Sequence, residues 1–530
     1  MKINKGKVLL CFLVVFIIIG AIIYFVYANT KKDKPENIEV KYQKVNMITN
    51  FRLGVSNFDS INPHITQNKD VIQIDSLIFE PLLEITPDYR IVNCLAEEWS
   101  KVSEKAYVIK LKQNIKWQDE TDFTALDVKF TIESIQKYKK SIYLENVKEI
   151  QKIDVIDEYT VRLELAKEVP FFEYQLIFPI LSQKQYEKQD IAKYTDIPLG
   201  TGKYKITKMD KGVIELTKNE KWHKIENENP NIKNITVSIY ETMGDVYNSF
   251  KLGNIDLVHT NNVNYEEYIG SMGYQKKQYA GREFDYLALN CENTVLQLIE
   301  VRQAIQKVIN KEKIVSSVLE NRAIVANFPL DYGNYLIKDL QLSFTSNQEE
   351  ASKILKEAGW KYEYGIWSKV VDGRTRTLNF NLVINKENEQ RVKVAKEIKS
   401  QLKAFGIEVT IQKLSNSNYQ KILANHQYEM ILTGVYNGYS PELNNFLGEN
   451  NLANYSNDEI KKLLKEVDTV SSEELQKEAY QKIIEIYFKE VPYIGLYRNQ
   501  VTVAYGPSVM GDVTPNNYSI FYYFNQWYRQ

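Results

Sequence analysis

Apolar and polar residues alternate with a period of two over Thr160–Leu165 (TVRLEL), the pattern of a half-buried strand. Short runs at Phe51–Val55, Tyr107–Lys112, Val213–Thr217 and Ile235–Tyr240 predict further strands. Between the strands the spacing becomes helical, and helix ends are marked. Thr124-Ala-Leu-Asp127 sets a hydroxyl and a carboxylate three residues apart before VKFTIESI. That is a capping box, and its acid also faces the positive end of the helix dipole. Ser346-Asn-Gln-Glu349 opens a helix closed by Gly359, and the amphipathic stretch Glu389–Phe405 ends at Gly406. Ser456-Asn-Asp-Glu459 starts another helix, and Ser471-Ser-Glu-Glu474 starts one that runs to Glu490, before Pro492. No stretch repeats at the roughly 20–50 residue period of a solenoid. Strands and helices interspersed along so long a chain predict several α/β or α+β lobes.

The start of the chain breaks this pattern. Val8–Tyr27 holds 20 residues without a charge, about 30 Å as a helix, which matches the hydrocarbon thickness of a bilayer. Lys2, Lys5 and Lys7 precede it and Lys31, Lys32 and Lys34 follow, so flanking charge alone does not orient it. A short basic start before one apolar helix predicts a signal anchor with the bulk of the chain outside. Cleavage after Val26-Tyr27-Ala28 is the competing reading, but the apolar run exceeds the roughly 7–15 residues of a removed signal. Lipidation of Cys11 is disfavoured by Leu10, which stands where a small residue is needed. The expected layout is a cytoplasmic stub at 1–7, a transmembrane anchor at 8–28 and a polar linker at 29–46.

Composition narrows the function. A chain of 530 residues, 44% hydrophobic and 25% charged, is globular and too long for a single core. The net charge of −1 gives no field that would draw it to nucleic acid. Cys11, Cys94 and Cys291 are too few for a disulfide framework, and Cys94 and Cys291 read as free thiols rather than a pair. His64, His223, His259 and His426 form no zinc-binding spacing, so no metal or other cofactor is expected. No nucleophile elbow, P-loop or other catalytic constellation occurs, and Gly200-Thr-Gly202 lacks the frame of a phosphate cradle. The chain reads as a non-enzyme, with any energy source in a partner.

Several short stretches resemble, in order, the family-5 extracellular solute-binding proteins, the oligopeptide- and dipeptide-binding class. They include Ile78-Phe-Glu-Pro-Leu-Leu83, Leu95-Ala-Glu-Glu-Trp99 and the strand-to-helix segment Tyr107–Phe130. Pro198-Leu-Gly-Thr-Gly202 with Tyr204, Phe250–Asp256, Leu287–Asn290 followed by Val301-Arg-Gln-Ala304, Lys356–Trp360 and Leu402–Ile407 continue the series. The resemblance implies an α/β, two-lobed periplasmic-binding-protein-like (Venus flytrap) fold with an extra subdomain in the first lobe. The expected divisions are 47–90, 197–275 and 495–530 for the core of lobe I, 91–196 for its extra subdomain, and 276–494 for lobe II. It also implies an ABC importer, with a peptide or other small solute closed between the lobes and passed to permease and ATPase subunits by a monomeric ectodomain. A peptide- or pheromone-sensing ectodomain is the alternative, and a hydrolase acting on the captured solute is a distant third.

By the same resemblance, Glu429–Tyr436 is the strand against which a ligand backbone is added, with Thr433, Gly434 and Val435 in contact. The missing side chain of Gly434 would admit another backbone. Tyr436 and Tyr439 would line the pocket with amphipathic rings. Peptide-binding members place an Asp four residues before the Pro of this loop, where it meets the ligand's α-ammonium. Here that position is Asn437, a neutral amide, with Glu442 as a possible substitute carboxylate. Asp127 reads as a helix cap, Trp99 and Trp117 as core, and Arg302 as structural rather than ligand-bound.

Overall fold

The computed structural model describes residues 48–530, apart from 195, 262–263, 270–272, 341, 343 and 471. The stub, anchor and linker expected at 1–46 lie outside the described residues. Among the described residues no helix is long and apolar enough to cross a membrane.

The alternating segments become strands. Asn50–Ser56 pairs in parallel with Asn234–Tyr240, which continues antiparallel to Val213–Lys218 and then Tyr204–Asp210. One face of this four-stranded sheet buries Phe51, Leu53, Val55, Ile235 and Val237. The last residues of the chain complete that core. The Phe51 ring lies 5.3 Å from that of Phe524 and 6.0 Å from that of Trp527. The Ile48 amide donates to the Arg529 carbonyl, and Arg529 and Arg52 both bind the buried Asp256 carboxylate, at 3.1 and 2.6 Å.

A second four-stranded sheet, Ala96–Ser103, Ala106–Leu111, Thr160–Leu165 and Ile150–Asp157, has its own core. The helix Ala125–Lys137 packs on it and carries the expected capping box between Thr124 and Asp127. Asp127 does more than cap: it accepts from the Gln183 amide (2.8 Å) and from Trp117 Nε1 (3.3 Å). Trp117 is buried and Trp99 half-buried against this core.

A seven-stranded mixed sheet forms the rest of the framework. Its two long strands, Gln275–Leu289 and Tyr493–Tyr505, run antiparallel along almost their whole length. At one end they carry Leu257–Thr260 and at the other Met430–Tyr436, Asn379–Asn385 and Glu408–Leu414. Midway the register breaks: Gly281–Glu283 stand opposite Asn499 alone. A Cβ at Gly281 would lie 2.9 Å from the Asn499 carbonyl oxygen, so the bulge requires its missing side chain. Two apolar cores cover the two faces of this sheet.

Helix starts fall one residue later than the serine signals. Asn347, not Ser346, caps Gln348–Glu357, and Asn457, not Ser456, caps Asp458–Thr469. Each asparagine carbonyl accepts the amide three residues on, which the preceding serine is one residue too early to do. The helix Glu389–Phe405 ends on Gly406 at φ 92°, as its sequence predicts. Arg302 donates to the carbonyls of Glu490 and Val491 and so holds the end of the helix Glu473–Glu490. Cys94 and Cys291 are free.

Glu80, from the Ile78–Leu83 motif, is buried and accepts from Trp222 Nε1 and His223 Nε2, both at 3.0 Å. Burial alone would raise its pKa. The His223 hydrogen bond and charge, with Lys224 and Trp222, outweigh burial and bring it down to about 2. A folded value below the unfolded one stabilises the protein above about pH 4.3, and that contribution is lost as pH falls towards 2. Glu80→Gln is therefore expected to flatten the acid limb of stability between those values, measured as the urea midpoint against pH.

Candidate functional site

A cavity of about 540 Å³ opens where the register break, the loop after Met430–Tyr436 and the second four-stranded sheet's outer segments converge. Its walls come from three parts of the chain. One holds Asn146, Glu149, Val169, Pro170 and Phe172. Another holds Pro329, Leu330, Asp331 and Asn334. The third runs from Val435 to Phe446, with Arg282 and Arg498 of the long strands between.

Val435, Tyr436, Asn437 and Tyr439 all line this cavity; Thr433 and Gly434 do not. Thr433 is buried within the sheet, paired with Tyr286. Gly434 lies opposite Asp285, and a Cβ there would come 2.1 Å from Arg391 Nη2. The space left by its missing side chain is thus filled by a guanidinium, not by an incoming backbone. Arg391 sits in the first turn of Glu389–Phe405, whose cap Asn388 accepts the Arg391 amide (2.9 Å). That turn aims the guanidinium at Asp285 (2.5 Å) and Glu283 (2.9 Å). Burial pushes the Asp285 carboxyl up to about 6, with Arg391 opposing the rise.

The loop beyond the strand is pinned. Asn437 donates its amide N–H to the Arg282 carbonyl (3.1 Å), and its own carbonyl accepts from Arg282 Nε (2.7 Å). Its side-chain Nδ2 donates to the Pro329 carbonyl. Because that partner is an acceptor, a carboxylate at 437 would face it unfavourably. The Arg282 guanidinium carbon stands 3.8 Å from the Tyr439 ring centre and 4.5 Å from that of Tyr436. The Tyr439 hydroxyl donates to the Asn517 carbonyl (2.9 Å), and burial raises its pKa. Glu442 also lines the cavity, but its carboxylate accepts the Asn444 amide, and burial pushes its pKa up.

Sequence reasoning missed Arg282, Arg498 and Tyr89, which also line the cavity. A signal was present: Arg282, Glu283 and Asp285 interrupt a strand that is otherwise apolar towards its end, and Arg498 follows the apolar YIGLY. Charges inside a buried strand call for partners or a function. Tyr89, at φ 69° in a turn, carried no such mark. Among the described residues no group of three or more His, Cys, Asp or Glu side chains is placed to hold a metal ion.

The opposing walls also touch beside the cavity. Asp468 accepts from Lys101 (2.9 Å) and from the Phe171 amide (2.7 Å), and Arg90 pairs with Glu473 (2.8 Å). Ile85, Phe171 and Tyr174 join the apolar core on one face of the seven-stranded sheet.

Known proteins share this framework. AppA, an oligopeptide-binding protein of Bacillus subtilis, is 24% identical over 419 residues, covering 74% of this chain and 75% of AppA. The fold is that of the unliganded open form of MppA, a periplasmic murein tripeptide binding protein. The TM-score is 0.77 at 17% identity, over 91% of this chain and 97% of that one. A nickel ABC transporter protein from Bacillus halodurans superposes with a TM-score of 0.75 at 19% identity, over 89% and 98% of the two chains. The family model for bacterial extracellular solute-binding proteins, family 5 Middle, matches residues 90–457. With more than half its length under that match, the chain belongs to the family-5 bacterial extracellular solute-binding proteins.

Proposed function

We propose that this protein is the extracytoplasmic substrate-binding component of an ABC importer. It captures a peptide or similar small solute between two closing lobes, leaves it chemically unchanged, and delivers it to a permease driven by ATPase subunits. The observation that carries this reading is the cavity of about 540 Å³ beside the register break of the two long strands. Its walls come from opposite parts of the chain, so a rotation about those strands would open and close it. The volume suits a small organic solute, and the aromatic rings with a few polar groups are the usual lining of such a site.

In this reading lobe I comprises 47–90, 197–275 and 495–530, with 91–196 as its extra subdomain, and lobe II comprises 276–494. Residues 8–28 anchor the chain in the cell membrane, and tethering raises the effective concentration of the loaded ectodomain at the permease.

The test is native mass spectrometry of the full-length protein with whatever solute co-purifies, followed by calorimetry. The double variant Tyr439→Ala with Asn437→Ala is expected to weaken binding of that solute by about tenfold or more, since a buried aromatic and its pinned loop are lost together. An unchanged affinity would remove this loop from the site.

A further inference from the structure

The wall of the cavity beside Val435–Ser440 carries two guanidiniums that make no ion pair among the described residues. Arg282 gives its Nε to the Asn437 carbonyl (2.7 Å), lies over the Tyr439 and Tyr436 rings, and makes no ion pair among the described residues. Arg498 is only 4% exposed. Its guanidinium reaches the carbonyls of Gly281 (3.4 Å), Arg282 (3.2 Å) and Pro329, and it too has no carboxylate within ion-pair distance among the described residues. The other cations on the cavity are satisfied: Lys148 pairs with Glu145 (2.5 Å) and Lys167 with Glu149 (3.2 Å). The carboxylates on this wall accept backbone amides, Asp331 from Gly333 (2.8 Å) and Glu442 from Asn444; Asp331 acts on Arg498 through its charge without touching it, and Glu283, next to Arg282, is held by Arg391 (2.9 Å). Asn437, on the same wall, is neutral.

Carbonyl dipoles offset only part of a guanidinium's charge, and a desolvated cation gains most from an anion in contact with it. The protein keeps two guanidiniums on this wall and supplies no such anion. Arg282 is also held ready: its Nε is committed and two aromatic rings fix its plane. We infer that the solute bound here carries an oxyanion, a carboxylate foremost, and lays it against the guanidinium of Arg282. Arg498 adds to the field from behind. This rests on reading the cavity as the solute site, and it names the end of the solute the site recognises. A free α-ammonium, lacking a carboxylate at position 437, is not the group that determines binding.

The test uses the full-length protein and the tripeptide Ala-Ala-Ala in three forms: unmodified, N-acetylated and C-amidated. Succinate and citrate serve as oxyanions without a peptide. Affinities are read by calorimetry. Acetylation is expected to change affinity little, and amidation to weaken it about tenfold or more, the worth of a charge-assisted hydrogen bond. Arg282→Gln is expected to erase the difference between acid and amide, and Arg282→Lys to keep part of it, because the charge remains and the fork is lost. The comparison of acid with amide on the unaltered protein stands even if a variant fails to fold.

The inference is overturned if acetylation is the costly change, if Arg282→Gln preserves the preference for the acid, or if none of these oxyanions binds. In that last case, a cationic or neutral solute that co-purifies with the protein leaves the solute-binding reading intact. Only the absence of both any probe binding and any co-purified solute would count against that reading itself.

Discussion

Arg391→Ala is expected to destabilise the protein by about 3–5 kcal/mol at neutral pH, the usual cost of removing one partner from a buried ion pair. Asp285 is 1% exposed, and with Arg391 gone its carboxylate would remain buried beside a glycine that offers no side chain. The cost should depend on pH in a set direction. Burial holds the folded Asp285 value up at about 6, above that of the unfolded chain. Protonation therefore favours the folded state: the contribution is full below about pH 4 and is lost as pH rises through 6. Removing Arg391 raises the folded value further, so the loss deepens above pH 6 and shrinks below about pH 4, where the carboxyl is neutral in both states. Urea midpoints of the variant at acidic and neutral pH measure this. Asp285→Asn in the same chain should recover much of the loss, because no buried charge is then left alone. An equal loss at both values of pH would show that packing, not charge, sets the cost.

Gly200→Ala should cost about 3 kcal/mol or more, at the upper end for overpacking. The obstacle is backbone, which cannot swing aside. A Cβ at Gly200 would sit 1.8 Å from the Ile78 carbonyl oxygen and 2.7 Å from its carbonyl carbon. Two residues on, the Gly202 amide donates to that same oxygen (2.9 Å) and the Tyr204 amide to the Leu77 carbonyl (2.9 Å). The glycine turn therefore cradles not a phosphate but the chain following the helix Lys69–Asp75, as if it were a paired strand. A fall in the thermal midpoint of several degrees, with folding retained, is the expected reading. A midpoint equal to that of the unaltered protein would mean that the turn can retreat from Ile78.

Much of the framework was legible in the sequence because local signals and tertiary structure agreed. Thr160–Leu165 alternates because one face meets a core, and it forms a strand over those same residues. Gly406 ends a helix because only glycine enters the left-handed region cheaply, and its φ is 92°. The helix starts at Asn347 and Asn457 were misplaced by one residue, since serine and asparagine cap equally well and their order alone does not choose between them. The candidate site was legible in part. Val435, Tyr436, Asn437 and Tyr439 line the cavity, and they are consecutive or nearly so. Arg282 and Arg498 reach it from strands far away in sequence, brought together by a register break that no periodicity announces. Gly434 shows the limit from the other side. Its missing side chain was a true signal of close approach, but the approaching group, Arg391, comes from a helix more than 40 residues earlier in the chain.

The joining of Phe51 to Phe524 and Trp527, and of Ile48 to Arg529, also bears on when the molecule can assemble. The core under the sheet of Asn50–Ser56 lacks its closing aromatic layer until Phe524 and Trp527 have been synthesised. A nascent chain that stops short of Trp527 cannot hold this sheet in its native packing, because the rings that seal Phe51 have yet to be added.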